Sequence, residues 1–107
     1  MQLEVSLYPA VEGGSGEGKA KFWERTDRSD FKVEVEGLPE SEGPYTLKVC
    51  SEDRGEMIIT AGSGELAYRS PESEGIPLLD FDPRPCPIEL FEGGELLLTS
   101  GDALLSE

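Results

Sequence analysis

Residues 18–36, GKAKFWERTDRSDFKVEVE, hold two runs of alternating apolar and polar side chains around a polar centre. A period of two sends successive side chains to opposite faces of a strand, so each run reads as a strand with one face turned inward. A four-residue connection, Thr26 to Ser29, sets Phe22 opposite Val33 and Ala20 opposite Val35 on the apolar face. On the other face Arg25 then meets Asp30, Trp23 meets Lys32, Lys21 meets Glu34, and Lys19 meets Glu36. Opposite charges across an antiparallel ladder contribute about 0.2–1 kcal/mol per pair, enough to favour this register without creating the fold. A slip of one residue would turn the apolar row to water. The stretch therefore predicts a half-buried antiparallel sheet.

The same alternation, punctuated by Gly, Pro, Asp and Ser, recurs along the chain at the short spacing of a β-sandwich or barrel. It predicts strands at Leu3 to Tyr8, Lys19 to Arg25, Asp30 to Glu36, Tyr45 to Cys50, Glu56 to Ala61, Glu65 to Arg69, Ile88 to Phe91 and Glu95 to Thr99. The inward rows include Leu3, Val5 and Leu7; Phe31, Val33 and Val35; Tyr45, Leu47 and Val49; Met57, Ile59 and Ala61; and Ile88 with Leu90. No stretch sustains a 3.6-residue period. Thirteen glycines and eight prolines suit a turn-dense all-β chain. Residues 70–87, SPESEGIPLLDFDPRPCP, are too rich in proline for a central strand and read as one long connection. With 107 residues the expectation is one domain, 1–107: an antiparallel β-sandwich or partly closed barrel of about eight strands.

Charge narrows the partners. Twenty-three acidic residues against nine basic ones give a net charge of −14, which repels phosphate backbones and anionic membrane surfaces, so no nucleic-acid partner is expected. No apolar run approaches the length of a membrane span, so no membrane insertion is expected. The first ten residues, MQLEVSLYPA, have neither the basic nor the apolar segment of a secretory leader.

The chain holds no histidine, which removes Ser-His-Asp and Cys-His catalysis and the usual zinc and copper sites. The glycine-rich stretch 13–19, GGSGEGK, approaches a phosphate-binding loop, but Ala20 stands where a Ser or Thr is needed and a strand follows where a helix is needed. Asp80 and Asp82 lie two apart in LLDFDPR (78–84); in an extended segment both point one way, with Leu79 and Phe81 on the other side. Such a pair suits a hard cation such as calcium. The structural alternative is that one aspartate pairs with Arg84 while Leu79 and Phe81 plug the core. Cys50 and Cys86 are the only cysteines, and both a disulfide and two free thiols stand open. Trp23 and Phe91 fall on outward faces, where large aromatics mark an interface, self-association included, unless a second layer covers them.

The order GEGKAKF (16–22), DFKVEVEGLP (30–39), YTLKV (45–49) and LLDFDPR (78–84) resembles a family of uncharacterised bacterial all-β proteins, and is more distantly similar to chordin-like domains. The resemblance implies a β-sandwich and, because family members often carry secretion leaders, an extracellular or envelope location. The chordin-like histidine segment has no counterpart here, so a role tied to those histidines is not implied. The functional expectation is a non-catalytic structural or protein-interaction module, with a calcium- or small-ligand-binding domain that uses acidic loop residues as the alternative.

Overall fold

The computed structural model describes residues 2–39, 43–71 and 74–104. They form nine strands: β1 Gln2–Pro9, β2 Glu17–Glu24, β3 Ser29–Glu36, β4 Tyr45–Val49, β5 Glu52–Met57, β6 Ile59–Thr60, β7 Ser63–Ser70, β8 Pro87–Glu92 and β9 Glu95–Ala103. All pair antiparallel in one sheet of order β5-β4-β8-β9-β1-β2-β3-β7-β6. No helix among the described residues is long and apolar enough to cross a membrane.

The two edges of this sheet are consecutive in the chain. Only Ile58 separates β5, at one edge, from β6, at the other, so the bend there carries the backbone around and nearly closes a barrel. The opposite corner is β1, whose residues Gln2 to Leu7 pair with β2 while Tyr8 and Pro9 pair with β9. Strands that switch between half-sheets at bends are how such corners are made. Ile58 is 74 % exposed, as expected of a residue at the bend itself.

One interior results. Leu7, Ala20, Phe31, Val33, Leu47, Val49, Ile88, Leu90 and Leu98 are fully buried, and each sits at an inward position of its strand. Between the splayed ends of β5 and β7 the ladder cannot close, and residues 76–84 fill the gap. Leu78 makes a bridge to Arg69, whose N–H donates to the Pro77 carbonyl at 3.0 Å and whose carbonyl accepts from the Leu79 N–H at 2.9 Å. Behind it Phe81 packs edge-on against Phe31 and Tyr68, with ring centroids 5.9 and 5.2 Å away. Arg54 is the extra residue at a bulge in β5, because Leu47 pairs with Gly55 and Lys48 with Asp53. The bulge frees the Arg54 carbonyl from the ladder, and the Tyr68 hydroxyl donates to it at 2.9 Å, joining β7 to β5 across the seam. A β-carbon on Gly55 would lie 2.9 Å from that hydroxyl, which explains glycine there.

Two details depart from the sequence reading. The predicted strand Glu56 to Ala61 is divided: its first part belongs to β5, which starts earlier at Glu52, and Ala61 is exposed in the turn after β6. Nine strands therefore replace eight, because the chain bends at Ile58 to change partners. The β2–β3 register also lies two residues from the expected one: Glu24 pairs with Ser29, Trp23 with Asp30, Phe22 with Phe31, Lys21 with Lys32, Ala20 with Val33 and Lys19 with Glu34. The connection is Arg25 to Arg28, closed by a 2.7 Å bond from Arg25 N to Arg28 O. A two-residue shift preserves which side chains face inward, so Phe22, Val33 and Val35 remain buried.

Candidate functional sites

Asp80 and Asp82 lie on the outer side of the segment that fills the seam, with Leu79 buried and Phe81 partly buried behind them. They share a hollow of about 420 Å³ with Glu24 and Arg84. Both oxygens of Asp82 are engaged: Arg84 donates from Nε to Oδ1 at 2.8 Å and from Nη2 to Oδ2 at 3.0 Å, and its backbone N–H donates to Oδ1 at 3.0 Å. This fork holds the Asp82 carboxyl below its usual pKa and raises that of the guanidinium. Arg84 also lies 3.8 Å from Glu24 and 5.4 Å from the Phe22 ring centroid. A cation at this pair would compete with Arg84 for Asp82. Among the described residues no group of three or more His, Cys, Asp or Glu side chains is placed to hold a metal ion.

Cys50 and Cys86 are bonded, with Cα atoms 5.1 Å apart, tying the β4–β5 turn to the residue before β8. That turn is Cys50 and Ser51, between the paired Val49 and Glu52, and both residues have positive φ, 56° and 65°. Two central residues with positive φ are what a type I′ hairpin demands, and glycine or asparagine would meet that demand with less strain.

Phe91 is half-buried on the outer side of β8, with the Lys48 ammonium 4.5 Å from its ring centroid. A cation over the ring face is attracted by its quadrupole, so Lys48 partly covers this aromatic. Trp23 lies elsewhere, on the outward face made by β1, β2, β3 and β7, with β9 and β1 standing between β8 and its own strand β2.

Around Trp23 the setting is different. A hollow of about 330 Å³ is lined by Trp23, Arg25, Arg28, Lys32 and Arg69, with Asp30, Glu65, Ala67 and Ile76 among its neighbours. Asp30 lies directly across the ladder from both Trp23 and Arg69. Arg69 Nε donates to its Oδ1 at 2.6 Å, and Arg28 Nε lies 3.1 Å from Oδ2 without the alignment of a hydrogen bond. Two guanidinium groups thus share one carboxylate and leave a net positive charge beside the indole. Lys32 is held 3.3 Å from both Glu34 and Glu65, and these hydrogen-bonded carboxylates raise its pKa. Lys21 and Arg25 have no ion-pair partner among the described residues. Of the chain's nine cations, six (Lys19, Lys21, Arg25, Arg28, Lys32 and Arg69) stand on this face or in the turn at its end. Reading Trp23 alone found the face. The arginines around it come from two separated segments, the β2–β3 turn and β7, and only the pairing of β3 with β7 brings Arg69 to the site. No protein-family model, curated protein or solved structure matches this chain.

Proposed function

We propose that this chain is a non-catalytic protein-interaction module that presents the outward face of β1, β2, β3 and β7 to its partner. The observation that carries this reading is the grouping of a half-exposed Trp23 with Arg25, Arg28 and Arg69 on a chain whose net charge is −14. Tryptophan and arginine are the side chains most enriched where binding energy concentrates. The strands beneath are anchored in a filled interior, so the side chains are presented on a stiff support. The Cys50–Cys86 bond supports an oxidising compartment, in keeping with the secreted or envelope location that the family resemblance implies.

Affinity capture tests the reading. The immobilised protein, a Trp23→Ser/Arg25→Glu variant and a Phe91→Ala variant are each exposed to extract of the source cells. Proteins retained by the wild type and by Phe91→Ala, and lost from the double variant, are the expected result. Equal retention by all three would refute it.

A further inference from the structure

The same face is divided by charge along the strands. Register sets its outward side chains in rows: Gln2, Trp23, Asp30 and Arg69; then Glu4, Lys21, Lys32 and Ala67; then Ser6, Lys19, Glu34 and Glu65; and last Glu17 beside Glu36. The first two rows, with the β2–β3 turn, carry Lys21, Lys32, Arg69, Arg25 and Arg28 against Glu4, Asp27 and Asp30. The last two rows carry Glu17, Glu34, Glu36 and Glu65 against Lys19 alone. Two hollows mark the face: the one beside Trp23, and one of about 530 Å³ that runs from Lys21 and Lys19 to Glu17 and Glu36 at the acidic end and includes Tyr8, itself 61 % exposed.

Resting on the reading that this face binds a protein, we infer that its occupant is a second copy of the same chain, related by a two-fold axis lying in the face and crossing the strands. Rotation about that axis lays the Trp23 end of one copy over the Tyr8, Glu17 and Glu36 end of the other, and the contact occurs twice, as an isologous interface requires. A uniformly acidic partner would be repelled by the last two rows and a uniformly basic one by the turn end. The second copy sets the net-positive half of one face against the net-negative half of the other. Four strands about 4.8 Å apart and four rows about 6.7 Å apart make a patch roughly 20 Å on a side. At about 400 Å² from each copy it falls below the standard range for specific interfaces, and its charged composition is that of a transient contact. The dimer is therefore weak and salt-sensitive: it forms at roughly 100 µM protein in 0.15 M salt and dissociates in 1 M salt, where the Debye length falls to about 3 Å.

Sedimentation of the intact, oxidised chain between 10 and 500 µM in 0.15 M salt tests this, with two variants built on side chains that have no ion pair among the described residues. Lys21→Glu/Arg25→Glu makes both halves acidic, and Glu17→Lys/Glu36→Lys makes both basic. Each alone is expected to be monomeric, and an equimolar mixture is expected to regain the dimer. The second variant separates this from a bulk-charge effect. Its net charge is less negative than the wild type's, so weaker general repulsion would make it associate more, whereas the paired face makes it associate less. Amide shifts of the wild type on dilution give a readout free of any variant's folding; they are expected on Lys19–Glu36 and at the Trp23 indole. A wild type monomeric at 500 µM, a Glu17→Lys/Glu36→Lys variant that associates as well as the wild type, or dilution shifts confined to β4, β8 and β9 would each overturn the inference. A monomer that still captures a foreign protein through Trp23 ends the self-pairing alone; loss of both ends the interaction reading as well.

Discussion

Removing the Cys50–Cys86 bond should cost this fold a large part of its stability, and the size can be worked from the chain. The bond joins residues 36 apart in sequence. Closing a loop of that length removes about 13 cal/mol/K from the unfolded chain, or about 4 kcal/mol at room temperature. Set against an unfolding entropy of about 2.1 cal/mol/K per residue over 107 residues, this lowers Tm by roughly 15–20 °C. Cys50→Ser/Cys86→Ser is the direct test, read by urea unfolding. The midpoint falls and the denaturant slope rises, because the uncrosslinked chain exposes more surface. A second variant isolates the turn. Cys50 and Ser51 both sit at positive φ, where a side chain costs about 1–2 kcal/mol, so Cys50→Gly/Cys86→Ser should be the more stable of the two pairs by about 0.5–1 kcal/mol after the entropy of glycine is counted. A loss below about 1 kcal/mol, with an unchanged slope, would refute loop closure as the way this bond acts.

Three further outcomes follow from the seam and from the segment that fills it. Tyr68→Phe leaves the Arg54 carbonyl without its donor and should cost about 1–2 kcal/mol by urea unfolding. Burial pushes the Tyr68 hydroxyl up to about 12, so the wild type's advantage over this variant holds below pH 10 and shrinks as the pH rises towards 12; an advantage constant over that range would contradict the assignment. The Asp82 carboxyl is held low by Arg84, so its contribution is present above about pH 4 and fades as the pH falls through the lowered value. The pair is partly exposed, and Asp82→Asn should cost no more than about 1 kcal/mol at neutral pH. Millimolar calcium should leave the wild-type Tm unchanged, since Arg84 occupies both oxygens; a rise reversed by chelation and absent in Asp80→Asn would assign the site to calcium instead.

The inward rows were legible because burial acts on each strand separately. Phe31, Val33 and Val35 are buried whatever lies beside β3, and the same holds for Tyr45, Leu47 and Val49 on β4. A partly closed barrel was within the expectation, but the place where the sheet turns back on itself was not legible, since it depends on Ile58, an exposed residue at which the backbone changes partners, and nothing in the local pattern marks that exchange. The site around Trp23 was half legible for the same reason. Its aromatic and the turn arginines are neighbours in sequence, but Arg69 arrives through β7, 39 residues from the Asp30 it pairs with.

The register of β2 on β3 shows why charge matching misleads. The expected alignment opposes Lys21 with Glu34 and Lys19 with Glu36, yet the observed one sets Lys21 against Lys32. The ion pairs return in other directions: Lys32 reaches Glu34 along its own strand and Glu65 diagonally on β7, Lys19 reaches Glu4 on β1, and Asp30 gathers Arg28 and Arg69. Long charged side chains satisfy themselves in either alignment, so pairs worth about 0.2–1 kcal/mol each cannot choose between them. Backbone contact can. In the observed register Gly18 lies opposite Val35, where a β-carbon would fall 2.6 Å from the Glu34 carbonyl oxygen and 2.9 Å from Val35 Cγ1. The expected alignment puts Ala20 there, and its methyl group has no room unless the strands separate. Faces are set by where apolar side chains recur, but in this hairpin the partner across the ladder is set where Gly18 leaves no space for a side chain.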